Sequence, residues 1–298
     1  MVIKINFDIY LLNFDLLLLL KIEQKVGVNR VKDLYVSEST VKRIKAFNEA
    51  KKHGVHIPYV RSTFMSIGTR SIFFCPVQKR VITLLGKGEK HLYITKLFEP
   101  DVVEIKEQYP LDYVRTREIA DTHGVIHPRK HLTGELTVLT TDLLVTYRDK
   151  SGAQYRVAYS FKHSIDARSK TRTMQKFDIE KAYWKRFGVR AEQVLRDDVS
   201  KIKAYNLLNY INYYDTELSD SELRKFASAL LDDVIDHPEH SLRESLKAVS
   251  SSLKVKPPHC MTLFANSMFK HILPIDLTQK IKLHKPLQLC AVTECEEV

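Results

Sequence analysis

Two runs, "TTDLLVTY" and "YSFK", put Asp142 on one β-branched, aromatic-rich segment and Ser160 and Lys162 on the next, with a polar turn between them. A buried acid or lysine is costly unless it is paired or bound. Side chains alternate along a strand, so Ser160 and Lys162 leave the same face. A hairpin closed near Ser151–Gly152 brings Asp142 to within about one residue of opposite Ser160. An acid that a divalent cation would neutralise then stands beside an ammonium able to stabilise an attacking hydroxide or a pentacovalent phosphate. That spacing, D-x17-S-x-K, is loose on its own. An edge-strand lysine near a surface acid would match it equally well.

Two further carboxylates narrow the reading. In "KTRTMQKFDIEKAYWKRFGV", Phe177, Trp184 and Phe187 form an apolar stripe, and Glu180 sits on it, so it needs a polar partner. Glu89 falls in the first turn of "GKGEKHLYITKLFEP", on the side of Leu92 and Tyr93, where a helix-dipole role is the competing account. The acid, hydroxyl and lysine of the hairpin have the layout of the D…(D/E/Q)xK nucleases.

The elements that must position these groups follow in order. "SESTVKRIKAFNEAKKHG" is a capped helix ending at Gly54, with Val41, Ile44 and Phe47 on one face and Lys42, Arg43 and Lys45 among the basic residues of the other. "SIFFCPV" and "RVITLL" are strand-like, a helix spans 88–99, and "DVVEIKEQYPL" alternates like a strand. Residues 112–134 read as loop; the hairpin and the Glu180 helix, stopped at Gly188, complete an α/β (α+β) domain over 37–199. Residues 200–298 change character. "SDSELRKFASALLDDVIDH", "SLRESLKAVSSSL" and "CMTLFANSMFKHI" read as helices, and "IDLTQKIKLHKPLQL" as a short β-ribbon, the outline of a small winged-helix-like α domain.

Charge supports a polyanionic partner. The net charge is +11, with +12 carried by residues 1–200. Four cysteines without a CxxC pair fit a reduced, cytosolic compartment. The apolar opening of the chain is interrupted by Asp8, Asn13 and Asp15, which argues against a membrane span or a signal peptide. "GKGEK" lacks the second glycine-lysine-hydroxyl element of a nucleotide loop. His123, His127 and His131 are spaced for one helical face, but Pro128 breaks the helix such a metal site would need.

The blocks "RVITLLGKGEKHLYITKLFEPDVVEIKEQYPL", "TREIADTHGVIHP", "LTTDLLVTY" and "SFK", in this order and spacing, resemble the TnsA family, the endonuclease subunits of heteromeric cut-and-paste transposases. The similarity runs from about Ser37 through Trp184 and returns more weakly in "LFANSMFKHI", whereas residues 1–36 form an unmatched N-terminal extension. The resemblance implies a restriction-endonuclease-like mixed sheet flanked by helices. It implies Glu89 and Asp142 as metal-binding catalytic acids, Lys162 as the catalytic lysine, the Phe161 carbonyl as a further ligand, and Glu180 beside the metal. The sequence departs at Ser160, where the pattern has Glu, Asp or Gln; serine reaches less far and would hold the ion through water.

The implied reaction is Mg²⁺-dependent hydrolysis at the 5′ ends of a transposon, with Mn²⁺ as substitute, while a TnsB-like integrase subunit cuts and joins the 3′ ends. Arg168, Lys170, Arg172 and Lys176, with Lys42, Arg43 and Lys45, are candidate contacts to double-stranded DNA, although a solvated helix face explains such residues nearly as well. The nearly neutral C-terminal part suits docking to a TnsC-like AAA+ regulator. The expected location is the bacterial cytosol, on the nucleoid and away from membranes. A free-standing restriction-like or recombination nuclease, and a non-catalytic DNA-binding adaptor with a decayed site, are the alternatives.

Overall fold

The computed structural model describes residues 35–60 and 70–290. Most of the unmatched extension 1–36, and Cys295, therefore lie outside the described residues. The centre of the fold is a four-stranded sheet of β3 (Val102–Pro110), β4 (Thr140–Arg148), β5 (Gln154–Lys162) and β6 (Arg190–Leu195), hydrogen-bonded in that order. The first two pairings are antiparallel and β5–β6 is parallel. The hairpin of the sequence reading is β4–β5, in register from Leu143 opposite Tyr159 to Arg148 opposite Gln154. Gly152 in its turn has φ 86°, a conformation that suits a residue without a side chain.

Alternation along the hairpin feeds two cores. Leu143, Val145, Tyr147, Val157, Tyr159 and Phe161 enter one, and Leu144 and Ala158 enter the other. With both faces covered, the strands read as nearly continuous apolar runs. The first core is closed by α2 (Lys87–Leu97) and by the antiparallel pair β1 (Ser71–Cys75) and β2 (Arg80–Leu84). The second is closed by α5 (Thr171–Lys185), which brings Ile179, Tyr183 and Trp184 to the sheet. This mixed α/β architecture agrees with the restriction-endonuclease-like fold that the resemblance implies.

Two elements were not anticipated. Residues 112–134, read as loop, contain α3 (Tyr113–Thr122), started by the Asp112 carboxylate accepting from the N–H groups of Val114 and Arg115 at 2.9 and 3.0 Å. Strand β6 follows α5, a crossover that a parallel pairing requires. The basic-faced helix near the start is α1 (Glu38–Lys52), with Ser37 as its cap, and α4 (Ile165–Ser169) is a single turn after β5.

C-terminal to the sheet lie α6 (Lys201–Tyr210), α7 (Asp220–Asp236), α8 (Leu242–Ser252) and α9 (Pro257–Phe269). Phe226 and Leu230 of α7 and Phe264 and Met268 of α9 belong to the same buried cluster as the α2 face of the sheet. His271 donates from Nε2 to the Phe98 carbonyl at 2.7 Å, tying α9 to the end of α2. The stretch read as a ribbon makes one antiparallel bridge, Ile275 with Leu289. Among the described residues, no helix is long and apolar enough to cross a membrane.

Candidate active site

Three elements converge at the C-terminal end of β3 and the start of β4. Glu89 projects from the first turn of α2, where Gly86 caps the helix without a side chain. Its Oε2 accepts the Leu85 N–H at 3.0 Å. Asp142 lies near the start of β4, and its Oδ2 accepts the Phe161 N–H at 2.8 Å. The Gln108 amide of β3 joins them: Nε2 is 3.3 Å from Glu89 Oε2 and 3.4 Å from Asp142 Oδ1. The two carboxylate oxygens are therefore at most about 7 Å apart, within reach of ions shared through direct or water-mediated bonds. Gln108 was not singled out by sequence reasoning, since a glutamine in "EQYP" carries no pattern that marks it.

Lys162, the last residue of β5, donates from Nζ to the Phe161 carbonyl at 3.0 Å. Its charge acts on both Glu89 and Asp142. Ser160 is bonded to Glu180. Its hydroxyl donates to Glu180 Oε2 at 2.6 Å, and the Thr141 hydroxyl donates to Glu180 Oε1 at 2.6 Å. Trp184 Nε1 in turn donates to Thr141 Oγ1 at 2.7 Å. Glu180 thus has the polar partners its place on the α5 stripe demanded, and those partners are two hydroxyls.

Electrostatics set the character of the cluster. Burial, then the neighbouring Asp142 carboxylate, push Glu89 up to about 8, against the pull of the Leu85 N–H, Lys162 and Gln108. Burial also raises Asp142, opposed by Lys162, the Phe161 N–H and Gln108. Glu180 is pushed up to about 7 by burial, with the Ser160 and Thr141 hydroxyls pulling it back. One ammonium faces three acids, which leaves the cluster short of positive charge. Two carboxylates and a backbone carbonyl are hard oxygen donors, so the residues present fit Mg²⁺ or Mn²⁺.

The basic candidates divide. Lys176 on α5 is exposed, and partial desolvation with the charges of Arg172 and Lys162 holds it below its ordinary value. Arg172 donates to the Ile126 carbonyl at 2.5 Å and to Gln175. Lys170 is exposed and Arg168 partly buried. On α1, Lys42 pairs with Glu38 and Lys45 is exposed, whereas Arg43 lies 4.7 Å over the Tyr59 ring. His127 is buried between the Pro128 carbonyl and the Thr116 hydroxyl, each at 3.0 Å, in a structural role.

Comparison with known proteins bears on the same stretch of chain. Residues 99–191 match the family model described as "TnsA-like endonuclease N terminal". Transposon Tn7 transposition protein TnsA of Escherichia coli is 32% identical over 105 residues, covering 35% of this chain and 37% of that protein. The chain thus spans little more than a third of the length of that curated relative. Glu89 lies before the matched family segment, while Gln108, Asp142, Phe161, Lys162 and Glu180 lie within it. The part of the chain that holds most of the polar cluster is similar to the TnsA-like endonucleases.

Proposed function

We propose that the protein is the DNA-cleaving subunit of a heteromeric transposase, a divalent-metal-dependent endonuclease that hydrolyses the phosphodiester at the 5′ ends of a transposon. The observation that carries this reading is the meeting of Glu89 and Asp142, from different elements, on one buried amide with Lys162 beside them. The match to the TnsA-like endonuclease domain supports the reaction class, and the family resemblance carries the expectation of an integrase-like subunit for the 3′ ends. A TnsC-like AAA+ regulator docking on the C-terminal helices completes the proposed assembly.

Glu89, Asp142 and the Phe161 carbonyl would hold Mg²⁺, with Mn²⁺ as substitute. When bound, the ion supplies charge neutralisation at the scissile phosphate and acidifies the attacking water. The chain's own groups do the rest. The Phe161 N–H fixes Asp142 Oδ2, and the Gln108 amide holds the other oxygen, Oδ1, on the side of Glu89. Lys162, anchored on the Phe161 carbonyl, brings a positive charge to where the phosphate accumulates negative charge. Ser160 is engaged with Glu180, so it supports α5 against the sheet and leaves ion binding to the other donors. Lys170 and Lys176 would hold backbone phosphates beside the cut.

The test is a cleavage assay with transposon-end DNA, the integrase-like partner and Mg²⁺. Asp142→Ala should abolish 5′-end nicking and leave 3′-end cutting intact. Unchanged 5′ products would instead establish an adaptor with a decayed site. Efficient cutting of plasmid DNA by the purified chain alone would establish a free-standing nuclease.

A further inference from the structure

Gln108 occupies an unusual place in β3. Its side chain is buried, and its backbone has φ 47°, a left-handed conformation that strains any residue with a Cβ. The consequence is visible in the packing. Ile105 and Tyr109 are four residues apart and should share a face of the strand. Ile105 nevertheless enters the core with α2, and Tyr109 enters the core with α5.

Several bonds hold this reversal. Glu107 is clamped by Arg80 at 2.9 and 2.6 Å and by the Thr83 N–H at 3.2 Å. The Gln108 carbonyl accepts the Tyr59 N–H at 3.1 Å. The Thr140 hydroxyl donates to Gln108 Oε1 at 3.3 Å, which fixes the amide with its NH₂ group towards the acids. That group has two hydrogens and two carboxylate partners, Glu89 and Asp142.

We propose that the Gln108 amide is a built-in substitute for the cation: its two N–H dipoles hold the Glu89 and Asp142 carboxylates in place until a divalent ion enters, and then give way to it. The inference rests on the reading of this cluster as an ion centre. Gln108 is on this account a positioning residue. It keeps two repelling acids aimed at a common point, and the strained backbone is what carries the amide there. The same geometry makes the amide a competitor of the ion, because both bind the same oxygens.

The experiment is thermal melting of the whole chain in EDTA and at saturating Ca²⁺, a hard divalent probe for oxygen donors, together with Ca²⁺ titration by calorimetry. Gln108→Met keeps the length of the side chain and removes both donors. Gln108→Gly removes the amide while suiting φ 47°, and serves if the first variant does not fold. In EDTA Gln108→Met should melt about 2–4 °C below the parent protein, and Gln108→Gly by a smaller margin because it also relieves the strain at φ 47°. At saturating Ca²⁺ that gap should shrink by at least half, and the dissociation constant for Ca²⁺ should fall by roughly two- to tenfold. A role in packing alone would leave the gap the same in both conditions, and that result overturns the proposal. So does weaker Ca²⁺ binding in the variants, which would make Gln108 a ligand through Oε1, or the absence of any gap in EDTA. If neither Ca²⁺ nor Mn²⁺ raises the melting point of the parent protein, the ion-centre reading itself fails and takes the inference with it. The parent protein alone therefore separates the two failures.

Discussion

Replacing Arg80 with methionine should be among the most damaging single changes outside the acidic cluster. Glu107 is fully buried and accepts three bonds, two from the Arg80 guanidinium and one from the Thr83 N–H. Removing the guanidinium leaves a buried carboxylate with a single donor, which costs about 3–5 kcal/mol. For a chain of this size that corresponds to a fall of about 10 °C in melting temperature. His56 stands 3.6 Å from Glu107 Oε2 but does not substitute near neutral pH, because burial, with help from Arg80, holds it down at about 4. Without Arg80, His56 should take up a proton more readily, so the penalty of Arg80→Met should be smaller at pH 5 than at pH 8. Urea unfolding followed by the fluorescence of Trp184, the single tryptophan, measures it. Adding Glu107→Gln to Arg80→Met removes the stranded charge and should recover more than half of the loss. Arg80→Lys should recover little, since a single ammonium cannot reproduce the two-pronged contact. A loss below about 1 kcal/mol, or a double variant no more stable than Arg80→Met, would refute the reasoning.

Asp142→Asn should lower 5′-end nicking by about 100-fold or more while leaving the melting point at pH 8 without divalent ions unchanged or higher, because it removes a charge that burial disfavours; a gel nicking assay and a melting curve check both. Gly88→Ala should destabilise the fold by about 1–3 kcal/mol in urea titration, since the added Cβ would run into the buried Phe161 ring. His127 has a folded value of about 4 against 6.5 when unfolded, so its contribution is fully present above pH 6.5 and is lost as pH falls towards 4. That loss amounts to about 3 kcal/mol, and His127→Gln should flatten this part of the acid limb when urea midpoints are compared at pH 7 and 4.5.

What could be read from the sequence was set by how strongly each element repeats its pattern. The β4–β5 hairpin was legible because apolar residues continue on both faces and Gly152 marks the turn. Helix α5 was legible as a helix, but its stripe only in part: Trp184 and Glu180 are buried, whereas Phe177 and Phe187 are half-buried and Ile179 and Tyr183 fill the face instead, before Gly188 ends the helical conformation. Helix α3 was missed because "YVRTREIADT" buries only Thr116, Ile119 and Ala120, too narrow a face to stand out among its charges. Strand β6 was missed for a related reason. It closes one side of the sheet, none of its residues is fully buried, and "RAEQVL" mixes charges with apolar positions.

The candidate site divides along the same physical line. Alternation places Ser160 and Lys162 on one face; Ser160 bonds Glu180, while the Lys162 amine, on the last residue of β5, reaches the Phe161 carbonyl. Period two constrains the direction of a Cβ, and a long side chain at a strand end is free to depart from it. The Gln108 link was not legible at all, because a left-handed backbone at a glutamine leaves no compositional trace. The reversal there has a chemical consequence. A strand that kept one face towards each core would bury every inward side chain among apolar neighbours, and polar groups could meet there only at high cost. Where β3 exchanges its faces, neither core is continuous, and the amide, the two carboxylates and a backbone N–H can satisfy one another at the seam. The acids collect at the point where the regular pattern fails, and so a reading based on pattern recovers the acids themselves but not the residue that joins them.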